Sequence, residues 1–194
     1  MRYKVIVLGE YGTGKSAFVD QLLYARIKNC YSVTVGIEYG IKTMDDGTIF
    51  DIWDTAGQER YRNIVRGYYR NVDVVIYMYD RTEPCTFERV TEWIEDFNSR
   101  RSTGPPLYTV LLGNKSDLRC MVTDIQGKDL AKSQGIDCFM NISSKNHQET
   151  LDVFDAILEG LRGKAPNKNR TELSITGSSC SSGSSNWSCC GAQS

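Results

Sequence analysis

The 194-residue sequence has no hydrophobic run approaching the length of a membrane-spanning helix. Its only histidine, His147, stands where a last helix would open and reads as a surface residue, neither ligand nor base. No charge of either sign dominates: the formal net charge is −1, so no global field draws the chain to nucleic acid. Seven cysteines are too scattered for a disulfide framework, and no CxxC pair is spaced for zinc. Cys30, Cys85, Cys120 and Cys138 read as reduced, partly buried thiols of a cytosolic protein. An apolar strand begins almost at once, and it is too short for the hydrophobic centre of a signal peptide. What remains is ordinary globular composition, 40% hydrophobic and 24% charged. Its length suits one domain with a full core, followed by a tail.

Periodicity divides that domain into alternating strands and helices. Val5 to Leu8 is a buried strand, and Ala17 to Leu23 the helix after it. Residues 26–34 are polar and aperiodic, an expected exposed loop. Ile37, Tyr39 and Ile41 share one face of a strand, and Asp45-Asp46-Gly47 turns it back. The returning strand sets Phe50 and Ile52 against Ile49, Asp51 and Trp53 on its opposite face. Residues 72–79 and 107–112 are continuous apolar runs, as central strands covered on both sides require. Between them Phe87, Val90, Ile94 and Phe97 recur at helical spacing, opened by Pro84. A helix over 124–133, a short strand over 137–141 and an amphipathic helix carrying Leu151, Phe154, Ile157, Leu158 and Leu161 follow. The expectation is a three-layer α/β fold: a six-stranded, mostly parallel sheet with one antiparallel edge strand and helices on both faces. From residue 164 serine, glycine and asparagine dominate, so 164–194 is expected to be a disordered tail to a 1–163 domain.

Three motifs carry chemistry. Gly9-Glu10-Tyr11-Gly12-Thr13-Gly14-Lys15-Ser16 satisfies G-x-x-x-x-G-K-[ST] between a strand and a helix, the context a phosphate-binding loop needs. Gly12, Thr13, Gly14, Lys15, Ser16 and Ala17 are the candidate phosphate-binding positions: backbone N–H groups face a polyphosphate and Lys15 reaches its β and γ groups. The Ser16 hydroxyl would ligate Mg²⁺. Asp54-Thr55-Ala56-Gly57-Gln58 ends a strand, where a carboxylate can hold Mg²⁺ through water. Gly57 would bring its N–H to the γ-phosphate, and Gln58 would orient the attacking water. Asn114-Lys115-Ser116-Asp117 is the strongest discriminator. The Asp117 carboxylate can accept from guanine N1–H and its 2-amino group, donors adenine lacks, so adenine leaves it unpaired. The Lys115 stem would cover the base, and Asn114 would tie the loops together. Ser143-Ser144-Lys145 follows the next strand, where a loop N–H could meet guanine O6.

These residues carry a wider likeness. The chain resembles the Ras superfamily of small GTPases, and within it the Rab family, over residues 3 to 163. Rab-like segments are Val35-Gly36-Ile37-Glu38-Tyr39, Ile52-Trp53-Asp54-Thr55-Ala56-Gly57-Gln58-Glu59-Arg60-Tyr61, Tyr68-Tyr69-Arg70 and Tyr77-Met78-Tyr79-Asp80-Arg81-Thr82. The resemblance implies a P-loop GTPase fold and a GTP/GDP switch in vesicle trafficking, with Gln58 and Lys15 as catalytic residues. It further implies Thr34 as a Mg²⁺ ligand dependent on the γ-phosphate, 54–69 as the second switch, and Tyr39, Trp53 and Tyr68 as residues displayed to effectors. Its expected partners are an exchange factor, a GAP, a GDI or escort protein and effectors. A monomer cycling between cytosol and the cytosolic face of an intracellular membrane is expected.

The tail ends Cys189-Cys190-Gly191-Ala192-Gln193-Ser194. A C-a-a-X box would need cysteine at Gly191, whereas adjacent cysteines on a flexible tail resemble the double-geranylgeranyl site of Rabs. Two chains hold a membrane where one gives only marginal attachment. Free or palmitoylated thiols are the alternative. Two positions depart from the family pattern: Tyr11 stands beside the γ-phosphate, and Ile27 replaces an aromatic at the guanine edge. The Tyr11 ring would crowd Gln58, which raises a rival reading as a GTP-binding adaptor with negligible hydrolysis. A metabolic P-loop kinase is disfavoured, since no second substrate domain or lid is visible.

Overall fold

The computed structural model describes residues 1–26, 34, 36–58, 61–101 and 104–166. Most of the expected loop at 26–34, including Ile27 and Cys30, and the tail with Cys189 and Cys190 lie outside the described residues. Along the chain the elements are β1 (Arg2–Leu8), α1 (Lys15–Tyr24), β2 (Ile37–Thr43), β3 (Ile49–Thr55), α2 (Arg62–Arg66) and β4 (Val74–Asp80). Then come α3 (Pro84–Glu88), α4 (Val90–Arg100), β5 (Tyr108–Asn114), α5 (Asp124–Ser133), β6 (Cys138–Asn141) and α6 (His147–Gly160). The strands form one six-stranded sheet in the order β2-β3-β1-β4-β5-β6, with only the β2–β3 pair antiparallel.

The continuous apolar runs split by alternation into two cores. Val5 and Val7 of β1, Val74, Ile76 and Met78 of β4, and Val110 and Leu112 of β5 face α1 and α6. The intervening Ile6, Leu8, Val75, Tyr77, Tyr79 and Leu111 face α4 and its neighbours. Phe154 of α6 packs on Phe18 of α1 and Phe50 of β3, with ring centroids 6.2 and 5.1 Å apart. The topological consequence is functional: the loops after β1, β3, β5 and β6 all emerge at the carboxyl end of the strands, where open α/β sheets bind ligands.

Four local expectations are corrected. The helix read through Phe87 to Phe97 is two, α3 and α4, joined at Arg89, whose ψ of −5° lengthens the ladder there: the bonds into and out of Arg89 are both 3.3 Å. The short helix α2 had no periodic signature, because Val65 is its only buried residue. Cys85 is exposed rather than partly buried, since it occupies the first turn of α3 behind Pro84. His147 opens α6 as expected but is half-buried: its Nδ1 lies 2.8 Å from the Gln21 carbonyl, joining α6 to α1. Beyond α6, Lys164 still packs on the domain, accepting from Tyr3 through its carbonyl (2.8 Å) and donating to the Leu107 carbonyl (2.8 Å).

Candidate functional site

The loop between β1 and α1 is shaped to face an anion. Gly14, with φ of 94°, is the N-cap of α1, no side chain caps the helix, and its first turn carries no acidic residue. The first-turn N–H groups and the positive end of the helix dipole are therefore left for a ligand. Lys15 is buried and donates to the Gly9 and Glu10 carbonyls at 2.9 and 2.8 Å. Burial lowers its pKa to about 8, against the pull of Asp54 and Glu10. A chelating phosphate would restore the partner that burial removes.

Beside it stand Ser16, Thr34 and Asp54. The Ser16 and Thr34 hydroxyls are 2.6 Å apart. Asp54, at the end of β3, is 1% exposed, and neither carboxylate oxygen has a hydrogen-bond partner among the described residues. Burial raises its pKa to about 6, opposed by the nearby Ser16 hydroxyl and the Lys15 ammonium. That hydroxyl lies close enough to favour the ionised carboxylate, and either it or the Thr34 hydroxyl can donate in the bond between them. Two hydroxyls and an orphaned buried carboxylate make a hard oxygen donor set, which fits Mg²⁺ and not a softer metal. Gly57 is drawn onto the loop so closely that a Cβ there would lie 2.4 Å from the Glu10 carbonyl carbon and 2.5 Å from Tyr11 N. Gln58 follows directly, half-buried, with its carbonyl accepting from Tyr61 N–H at 3.0 Å.

Asn114 ties the base-side loops together. Its Nδ2 donates to the Thr13 carbonyl (2.7 Å), and its Oδ1 accepts from the Ser144 N–H and hydroxyl (2.9 Å each). One 1%-exposed amide thus joins the phosphate loop, the loop after β5 and the loop after β6. Gly14 makes the approach possible, since a Cβ there would sit 2.2 Å from that Nδ2. Lys115 takes φ of 63° and pairs with the buried Asp80, which Thr82 holds through its N–H and hydroxyl at 2.8 Å each. Asp117 accepts from Lys145 Nζ and Ser143 Oγ, both at 2.7 Å, and these bonds hold its carboxyl below the usual range. An ionised carboxylate has about four acceptor positions, so two remain for donors on a base. The amides of this loop already have protein partners: Ser143 N–H donates to Glu149 (2.6 Å), Ser144 N–H to Asn114 Oδ1 and Lys145 N–H to Ser143 Oγ (3.3 Å).

A second locus lies on β2 and β3. Trp53 is flanked by Tyr39 and Tyr68, each ring centroid 4.9 Å away, and Lys4 Nζ sits 5.3 Å over the indole. Tyr39 is 47% exposed and Ile41 52%, so the apolar face expected of β2 is its outer face, while Gly40 is buried. Asp51 fixes Tyr39 by accepting from its hydroxyl (2.7 Å) and pairing with Arg2 (2.7 Å).

The structure thus brings Gly12 to Ala17, Thr34, Asp54, Gly57 and Gln58 to one side, and Asn114, Lys115, Asp117 and 143–145 to the adjoining side. Residues missed by sequence reasoning are Asp80, which seats Lys115, and Glu10, whose carboxylate bonds Trp93 and Arg62. Asp80 could have been found from its place at a strand end within Asp80-Arg81-Thr82; Glu10 could not, because the loop motif leaves its position open.

A phosphate loop, a hard-oxygen cation site and a base-reading carboxylate, all at the carboxyl edge of one sheet, define a P-loop nucleotide-binding protein. The Ras family profile matches residues 4–162 of this chain. The chain is also similar to the Ras-related protein RabC of Dictyostelium discoideum, 33% identical over 172 residues that cover 85% of this chain and 86% of that protein. The chain belongs to the Ras family and is a Rab-like small GTPase, which binds guanine nucleotide and hydrolyses GTP. Among the described residues no helix is long and apolar enough to cross a membrane.

Proposed function

We propose that this Rab-like GTPase, a switch in membrane trafficking, works through the following residues. Loop amides of Gly12 to Ala17 and the Lys15 ammonium hold the β- and γ-phosphates and neutralise charge as the γ-phosphoryl departs. Ser16, Thr34 and Asp54 hold the Mg²⁺, which when bound neutralises charge on the β- and γ-oxygens. Gly57 presents its N–H to the γ-phosphate, and Gln58 orients the attacking water. Because phosphoryl transfer asks little of the protein beyond position and electrostatics, these contacts are the catalytic apparatus. Products are GDP and phosphate. Thr34 and the segment around Gln58 lose their γ-phosphate contacts on hydrolysis, so the outer face of Tyr39, Trp53 and Tyr68 changes with nucleotide state.

The observation that carries the guanine reading is the Asn114 junction, which holds Asp117 and 143–145 against the phosphate loop. A titration of nucleotide-free protein tests it. GTP and GDP should bind more tightly than adenine nucleotides by several orders of magnitude, on the order of 10⁴ or more. Asp117→Asn should turn the preference toward xanthine, whose 2-oxo group suits an amide donor; equal ATP and GTP affinities would defeat the reading.

In this reading the chain divides into a GTPase domain at 1–163 and a tail at 164–194 whose Cys189 and Cys190 carry two prenyl groups. The tail attaches the domain to the cytosolic face of an intracellular membrane. An exchange factor, a GAP, a GDI or escort protein and effectors complete the cycle. Membership of the Ras family favours hydrolysis over the GTP-binding adaptor, and Tyr11 in this reading slows turnover without abolishing it.

A further inference from the structure

Glu10 is a carboxylate inside an anion-binding loop, where an unneutralised charge would repel a polyphosphate. Its side chain is only 12% exposed. Oε1 accepts from Trp93 Nε1 at 2.9 Å and from Arg62 at 3.2 Å, and Oε2 accepts from Arg89 at 3.3 Å. The Arg62 guanidinium lies 4.6 Å over the Trp93 ring, and Trp93 is 1% exposed within the second core. None of these partners belongs to the loop: Arg62 opens α2, Trp93 belongs to α4, and Arg89 joins α3 to α4. The backbone of Glu10 is equally occupied. Its carbonyl accepts from Lys15 Nζ (2.8 Å) and Thr13 Oγ1 (2.9 Å), and Gly57 rests on it closely enough to exclude a Cβ.

Glu10 therefore contacts residues on either side of Gln58, Gly57 through its backbone and Arg62 through its carboxylate. We propose that Glu10 is a positioning residue for GTP hydrolysis, holding Gln58 in register with the phosphate loop through Arg62 and Trp93. Charge-assisted bonds of this kind are roughly twice as strong as neutral ones, and Trp93 anchors them to a rigid core. The same two guanidiniums cancel the carboxylate's repulsion of nucleotide, so its role is felt in the rate more than in affinity. The proposal rests on the assignment of Gln58 to the attacking water.

Single-turnover hydrolysis of GTP preloaded on the full-length chain tests it. Glu10→Gln keeps an acceptor for Trp93 but loses the ion pairs. It should slow hydrolysis by roughly ten- to a hundredfold, the scale of a misplaced reacting group. GTP affinity should be unchanged or tighter. Combined with Gln58→Leu it should be no slower than Gln58→Leu alone, because both act on the same water. Arg62→Ala should slow the same step and be non-additive with Glu10→Gln, which covers a Glu10 variant that fails to load nucleotide. Parent-like rates in both Glu10→Gln and Arg62→Ala would overturn the proposal, as would losses that multiply with Gln58→Leu. A parent-like rate in Gln58→Leu alone would instead defeat the Gln58 assignment, which separates the two failures.

Discussion

At the scale of single residues, the site works because buried polar groups are left with capacity that a ligand completes. Among the described residues, Asp54 has two orphaned oxygens, Lys15 donates to loop carbonyls, and Asp117 keeps acceptor capacity beside its protein partners. Tyr11 is the departure we propose to slow hydrolysis. Its backbone N lies against Gly57, next to Gln58, and its ring is 44% exposed. Tyr11→Ser should raise single-turnover hydrolysis by about tenfold, equivalent to roughly 1.4 kcal/mol of barrier, with GTP affinity little changed. A parent that already hydrolyses as fast as Tyr11→Ser would show that the ring points away from the water. Most of these residues were legible in the sequence because each motif fixes residue type and spacing together. Glu10 was not, since its side-chain partners Arg62, Arg89 and Trp93 lie on other elements, whereas Asp80 left a trace in its strand-end segment but not of its partner Lys115.

At the scale of elements, the sheet does the positioning. β1, β3 and β5 each deliver a loop to the same edge, and α1 and α6 are clamped beneath by Phe18, Phe50 and Phe154. Phe154 is fully buried, so Phe154→Ala should destabilise the domain by about 3–5 kcal/mol in urea unfolding and lower nucleotide affinity only as the fold fails. A loss under 1 kcal/mol would mean that the α1–α6 layer is not part of the cooperative core. Strands and long helices were readable because burial on one or both faces leaves periodic traces. α2 left none: it is short, and Arg62 and Arg66 are held by ion pairs to Glu10 and Asp96 rather than by an apolar stripe. The break at Arg89 was equally invisible, because apolar spacing continues across it from Phe87 to Val90.

For the whole molecule, we propose that a GTPase domain and a polar tail separate two tasks, switching and attachment. The described residues of both cores run no further than Leu161, so Cys189→Ser with Cys190→Ser should leave a soluble protein of unchanged GTP affinity that no longer partitions to membranes. Mass spectrometry of the cell-derived parent should show two prenyl groups; membrane-bound protein with an unmodified tail would contradict this. The reading of the tail rests on composition and the cysteine pair alone.

The central claim is that this chain is a guanine-specific, Mg²⁺-dependent GTP hydrolase, and phosphate release from protein preloaded with GTP tests it most directly. A single slow exponential should appear, releasing about one phosphate per chain, slowed further by Gln58→Leu and stopped by chelating Mg²⁺, with none released when ATP is offered instead. Release from ATP at the same rate, or no release from GTP even with a Rab GAP added, would contradict the account.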